Sequence, residues 1–281
     1  MNVRLLSLLL IAMVSLAQNS VAQTSSLTAA QVISNPELVH LRLRLSNPEY
    51  RDQAQFGLEP DIGLVGDFSR GGVTDLTPLH GISFGALDLR GLQVSDLTPL
   101  KGMPLVVLGA EETGVSDLRP LAGMRLAKLY LNATGVSDLR PLEGMPLTEL
   151  MLVETSVRDL RPLRGMPLQQ LWLSDTPVQD ITPLAECPLV SLTLERTKVS
   201  DLHPLSKISS LERLHLGGSK VSDLTPIKGL KLQRLIFSPK SVKVGMEIVR
   251  GMKTLTEIGS SLDRRMPPEK FWELYDQGRI E

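Results

Sequence analysis

One phrase repeated along the middle of this chain restricts what it can fold into. VSDLRPLAGMRLAKLYLNATG is followed by VSDLRPLEGMPLTELMLVETS and then by VRDLRPLRGMPLQQLWLSDTP. Val73, Val94, Val115, Val136, Val157, Val178 and Val199 recur at a spacing of 21, and Val221 follows after one step of 22. Two residues after each Val stands an Asp: Asp75, Asp96, Asp117, Asp138, Asp159, Asp180, Asp201 and Asp223. Leu or Ile, a free position, Pro, and Leu or Ile complete that half. The other half reads L-x-x-L-x-L-x-x-T, as in Leu126, Leu129, Leu131 and Thr134, then Leu147, Leu150, Leu152 and Thr155. A unit this short cannot bury its apolar face alone. Stacked copies can, and they form a solenoid with one continuous core.

A period of 21 leaves too few residues for a strand, two turns and a full α-helix in each coil. The expected fold is therefore an α/β repeat solenoid: one short strand per coil around L-x-L, a parallel concave sheet, and 3-10 or extended segments on the convex side. The Asp column reads as a turn device, because an Asp carboxylate accepts from a backbone N–H two or three residues on and the following Pro fixes φ. A calcium ladder is the weaker reading of eight aligned carboxylates, since calcium loops gather several acids and a Gly in one short segment. Thr113, Thr134, Thr155, Thr176, Thr197 and Ser219 read as inward side chains that satisfy backbone groups after the strand.

On these residues the phrase resembles leucine-rich repeats, and its D-L-x-P-L segment is similar to the internalin type. The short GMPL form is similar to repeats of secreted and kinase-associated proteins in planctomycete-like bacteria. The resemblance covers Val73 to about Ile258 and implies strands on a concave face with 3-10 turns behind. LSNPEYRDQAQFGLE and MPPEKFWELYDQG look like the ends of the same proteins. No kinase motif is present, so that signalling chemistry does not transfer.

A solenoid exposes a core cross-section at each end, and each needs a cover. Residues 23–72 are expected to be an N-terminal cap, residues 73–241 the repeats, and residues 242–281 a degraded last repeat with a helical cap. In the first cap Asn35 and Pro36 look like a helix N-cap and first turn, with Leu38, Leu41 and Leu45 on one face, although LRLRL also permits a strand. In the last, Pro267 and Pro268 open a helix with Phe271, Leu274 and Tyr275 on a shared face; Phe271 and Trp272 read as a cover rather than a ligand box. Residues 1–22 carry one Arg, an apolar run from Leu5 to Ala17, and small residues Ser20 and Ala22 before a cut. This is the pattern of a cleaved secretion signal, and the run is shorter than the ~20 residues that span a bilayer. The expected location is secreted or periplasmic.

Thirty Lys and Arg against 31 Asp and Glu leave no field to attract nucleic acid. The single Cys, Cys187, excludes an internal disulfide and stands where most sister coils have Met, which is a packing position. His40, His80, His203 and His215 have no metal-ligand spacing, and no nucleophile elbow, phosphate loop or dinucleotide fingerprint is present. Adjacent acids such as Glu111 and Glu112 carry little weight in a repeat. The expectation is a chain without catalysis or cofactor.

The free positions are more informative. The residue between the two Leu of L-x-L points out of the concave sheet, giving a column of Asp88, Gly109, Tyr130, Met151, Trp172, Thr193, His215 and Ile236. Coils about 4.8 Å apart set Tyr130, Met151 and Trp172 side by side over roughly 10 Å. Lys128, Asn132, Glu149, Ser174 and Glu195 surround them. An apolar, aromatic centre in a polar rim is the composition of a recognition surface, although Met151 between two aromatics also packs well for stability alone. The expected partner is a protein; a glycan or cell-envelope polymer is the alternative, and a structural envelope component the third reading. Oligomeric state is open. Arg119, Arg140, Arg161 and Arg164 form a basic stripe on the other face, read as a solvated surface in preference to an anionic-membrane contact.

Overall fold

The computed structural model describes residues 26 to 280 apart from Arg70. The expected signal segment, 1–22, lies outside the described residues. One sheet of twelve strands runs in sequence order: β1 (Gln55–Glu59), β2 (Gly63–Asp67), β3 (Phe84–Asp88), β4 (Val107–Gly109), β5 (Lys128–Tyr130), β6 (Glu149–Met151), β7 (Gln170–Trp172), β8 (Ser191–Thr193), β9 (Arg213–His215), β10 (Arg234–Ile236), β11 (Glu257–Gly259) and β12 (Arg265–Met266). Pairing is parallel from β2 to β11, and β1 and β12 add antiparallel at the two edges. The chain is a leucine-rich-repeat solenoid, and its sheet stays open.

Each convex turn starts at the repeat Asp. The Oδ1 of Asp117, Asp138 and Asp159 accepts from the backbone N–H of Arg119, Arg140 and Arg161 at 2.9, 3.0 and 2.9 Å. The 3-10 turns Arg119–Leu121, Arg140–Leu142 and Arg161–Leu163 follow, each with Pro where no amide donor is needed. These arginines also close back on the same carboxylates, as with Arg140 Nη2 to Asp138 Oδ2 at 2.7 Å. The side-chain and backbone bonds from Arg140 hold the Asp138 carboxyl down at about 2. That favourable ionisation is present above the ordinary carboxylate range and is lost as pH falls toward 2, and solvent screening keeps it small. Three of the four stripe residues are thus paired within their own coils, Arg119 with Asp117, Arg140 with Asp138 and Arg161 with Asp159.

Where the GMPL glycine is present the turn ends with φ near +70°, as at Gly144 (72°) and Gly165 (67°). At Glu186 and Lys207, which replace that Gly, the 3-10 segment extends to five residues instead, Thr182–Glu186 and His203–Lys207. Next to Glu186, Cys187 is buried at 2% exposure with its thiol donating to Leu163 O, and burial pushes that thiol up. Across the core, Thr113, Thr134, Thr155, Thr176 and Thr197 each donate to the carbonyl three residues back at 2.6–2.7 Å. Ser219 instead accepts from Val221 N. The residue before each Thr turns left-handed, although it is not Gly: Glu112 (57°), Ala133 (54°), Glu154 (58°), Asp175 (58°) and Arg196 (53°).

Both ends differ from the sequence expectation. Before the coils lie two helices, α1 (Ala29–Ser34) and α2 (Glu37–Ser46), with Asn35 ending α1 and Pro36 capping α2. Val39 and Leu43 face the core, whereas Leu38, Leu41 and Leu45 are 39%, 47% and 59% exposed. The expected leucine face is therefore the outer one, because the β-branched and leucine pair at i and i+4 meets the first coil. Val73 is also preceded by two strands, β1 and β2, which extend the sheet into the cap. The joint is made by buried Asn47. Its Oδ1 accepts from Thr74 N and Asp75 N, both at 2.8 Å, and its Nδ2 donates to Leu43 O and Asp75 O, both at 3.1 Å.

At the far end the degraded repeat replaces the 3-10 turn by α3 (Met246–Arg250), and α4 (Pro268–Asp276) covers the last coil. Phe271 is fully buried against Phe237, and Trp272 and Tyr275 pack beside it. Trp272 takes the place expected of Leu274, and Arg250 lies over its ring at 4.6 Å.

Two outcomes follow for stability. Asn47→Ala removes the acceptor of two part-buried amides and the donor to a carbonyl, so it is expected to cost about 1–3 kcal/mol in urea unfolding and to open the first cap to limited proteolysis. Ala133→Gly relieves a left-handed strain of about 1–2 kcal/mol against about 0.5–1 kcal/mol of added chain entropy, so its melting temperature is expected to rise slightly.

Candidate functional site

The sheet register carries out the alignment that the repeat demanded. Asp88, Gly109, Tyr130, Met151, Trp172, Thr193, His215 and Ile236 are paired neighbours in one file, and Gly259 continues it. Tyr130, Met151 and Trp172 are consecutive and half-buried, with their leucine neighbours fully buried on the other side.

The rim residues divide into two groups. Glu149 is the hub of the first: Oε2 accepts from the Tyr130 hydroxyl at 2.6 Å, and Oε1 accepts from Lys128 Nζ at 3.2 Å and Gln170 Nε2 at 3.0 Å. Asn132 Oδ1 accepts from Val153 N at 2.9 Å, and its Nδ2 points at Met151 Sδ at 3.6 Å. Three coils are thereby tied across the face, and Tyr130 and Met151 are held in place before anything binds. Burial first, and the Glu149 carboxylate second, push the Tyr130 phenol well above its ordinary range.

Ser174 and Glu195 belong to the second group. Ser174 is 7% exposed and its hydroxyl bonds Thr193 Oγ1 at 3.2 Å, so it forms floor rather than rim. Glu195 pairs with Arg196 and lies 3.8 Å from His215 Nδ1. His215 is buried, its Nε2 has no hydrogen-bond partner among the described residues, and desolvation lowers its imidazole. Ile236, the next in the file, is fully buried. The far end of the expected outward column is thus covered. The chain turns back after β11, and a Cβ placed on Gly217 would sit 3.6 Å from Ser260 O and 2.9 Å from His215 Nε2.

Beside Trp172 the face deepens into a hollow of about 200 Å³, bounded by Gln170, Thr193, Arg213, His215, Ile236 and Leu262. Gln170, Arg213 and Leu262 were not among the residues expected from the sequence. Gln170 and Arg213 stand in the file that also holds Lys128 and Glu149, so the same alignment reaches them; Leu262 comes from outside the repeats and has no such signal.

The placement of aromatic residues separates packing from surface. All five Phe lie in the caps or at their borders, at positions 56, 68, 84, 237 and 271. Between Phe84 and Phe237 the only Phe, Tyr or Trp side chains are Tyr130 and Trp172, and both lie in the concave file flanking Met151. The coils pack without aromatics, so these two are not required by the core. Among the described residues no cluster of three or more potential metal ligands occurs, and no helix is long and apolar enough to cross a membrane.

The architecture is that of bacterial leucine-rich-repeat proteins, and three solved structures share it. An internalin (inlF) from Listeria monocytogenes superposes with a TM-score of 0.61 at 25% identity, covering 67% of this chain and 58% of that one. Internalin C2 from Listeria monocytogenes gives 0.57 at 29% identity, covering 62% and 80%. A leucine-rich-repeat protein of Leptospira interrogans shares the fold at 0.52 and 21% identity, covering 65% and 56%. This chain spans less than two thirds of the first of them. No protein-family model matches the sequence, and no curated relative does.

Glu149→Gln is expected to weaken the three-coil tie and bring the Tyr130 phenol part of the way down. In an ultraviolet titration one tyrosine should then ionise at lower pH than in the wild type, with the desolvation component left in place.

Proposed function

We propose that this chain is an exported, non-catalytic interaction module that binds a protein partner through its concave sheet. The observation that carries the reading is the file Tyr130, Met151 and Trp172: three large side chains on consecutive strands, in a fold whose coils otherwise dispense with aromatics. Lys128, Asn132 and Glu149 hold that centre in place, and rigid aromatic anchors inside a polar rim are where binding energy concentrates. Ser174 and Glu195 extend the surface toward the C-terminal coils. The internalin-like fold favours a recognition role, and the apolar run from Leu5 to Ala17 favours export as a secreted or periplasmic protein. The short GMPL form of the repeat favours the secreted and kinase-associated proteins of planctomycete-like bacteria as its group.

The test is capture from an envelope extract of the native organism with the full chain as bait. Trp172→Ala is expected to cost about 2 kcal/mol or more of affinity for the captured protein, roughly a thirtyfold weakening, while convex Arg140→Ala leaves it unchanged. Equal capture by both variants overturns the concave-face reading. Competition by envelope polysaccharide with no protein captured moves the assignment to glycan binding, and a mature N-terminus that retains residues 1–22 removes export by a cleaved signal.

A further inference from the structure

The hollow beside Trp172 differs in chemistry from the Tyr130 group. Its walls are the Trp172 indole and Thr193 on one side and Arg213, His215 and Ile236 on the other, with Leu262 reaching in from the turn after β11. At about 200 Å³ it exceeds the ~150 Å³ that admits an aromatic ring, so one side chain or chain end of a partner fits.

The charges around it leave one cation weakly engaged. Arg234 Nε donates to Glu257, and Arg265 Nε approaches that carboxylate at 3.4 Å, so Glu257 is shared by two guanidiniums. His215 faces Glu195 at 3.8 Å, and desolvation favours its neutral form. Among the described residues Arg213 has only Glu212 as an ion-pair partner, at 3.7 Å and beyond hydrogen-bond distance, while its side chain is 35% exposed and lines the hollow. Arg213, Arg234 and Arg265 thus share Glu257 and Glu212 among the described residues, while Glu195 is taken by Arg196. A guanidinium fork on an apolar wall pairs best with a planar oxyanion, and partial desolvation strengthens that pairing.

We infer that this hollow is a carboxylate subsite, in which Arg213 holds an acidic group of the partner while Trp172 and Leu262 enclose the stem that carries it. The inference rests on the concave face being the recognition surface. A side-chain carboxylate and a chain-terminal carboxylate share this chemistry.

Fluorescence of Trp172 reads the subsite directly. The full chain carrying Trp272→Phe retains Trp172 as its single indole, and three probes are titrated into it. N-acetylphenylalanine presents a chain-terminal carboxylate, N-acetyl-glutamyl-phenylalanine amide presents a side-chain carboxylate, and N-acetylphenylalanine amide is the neutral control. At least one acid is expected to bind fivefold or more tightly than the neutral amide, with the preference falling as salt rises and vanishing in Arg213→Met; the tighter acid names the source. The same dissociation constant for all three probes, no response to any of them, or a preference that survives Arg213→Met overturns the subsite. Arg213→Lys, which keeps the charge without the fork, is expected to retain only part of the preference and guards against a folding defect in the Met variant. If the acids show no preference while capture of a protein partner still depends on Trp172, the subsite fails and the concave-face reading stands. If capture is independent of Trp172, that reading fails on its own test.

Discussion

Each coil of this solenoid buries its leucines against the coil before and the coil after, and the apolar surface of a single coil is too small to hold it folded. The constraint propagates outward. Leu129, Leu150 and Leu171 must sit at the same height in successive coils, so their strands pair in register and the turn on the other side must close in the same number of residues. The Asp that accepts the N–H two residues on, and the Thr that donates to the carbonyl three residues back, are the devices that close it. They recur because the geometry recurs. A stack built this way has two exposed ends, and the molecule places its aromatic mass there: Tyr50, Phe56, Phe68 and Phe84 at one end, Phe237, Phe271, Trp272 and Tyr275 at the other. Antiparallel strands β1 and β12 form the two sheet edges, and β12 is only 2 residues long, so that edge offers little backbone to another chain.

The same constraint leaves some positions without a structural duty, and function collects in them. Outward positions on the strands touch neither core nor turn, and so differ from coil to coil. What the structure adds is that these side chains are organised among themselves. Glu149 on β6 gathers Tyr130 and Lys128 from β5 and Gln170 from β7. A surface held in this way loses little conformational entropy when a partner arrives. The convex arginines show the opposite case: a column that looks like a charged stripe is spent on carboxylates in the same coils.

The parts that were hard to read were those where the period fails. Leu38, Leu41 and Leu45 in LVHLRLRLS look like a buried helical stripe, yet the helix turns Val39 and Leu43 inward because its docking direction is set by the first coil and by Asn47. Nothing local marks Asn47, whose partners lie 27 and 28 residues further on. His215 and Ile236 occupy the same outward position of L-x-L as Tyr130, and their backbone follows that register. They are buried because the chain folds back over them after β11, and hence beyond the last repeat.

The sequence by itself therefore determined the period, the strand at L-x-L, the Asp and Thr turns, and the file in which Tyr130, Met151 and Trp172 stand together. A repeated unit has only one environment, so position in the phrase dictates what each residue must do. Tertiary structure alone decided which end of that file is covered, that Glu149 ties three coils together, and that Leu262 and Arg213 border one hollow with Trp172. Those contacts join residues with no common place in the phrase, and only the packing of the stack and its caps brings them within reach.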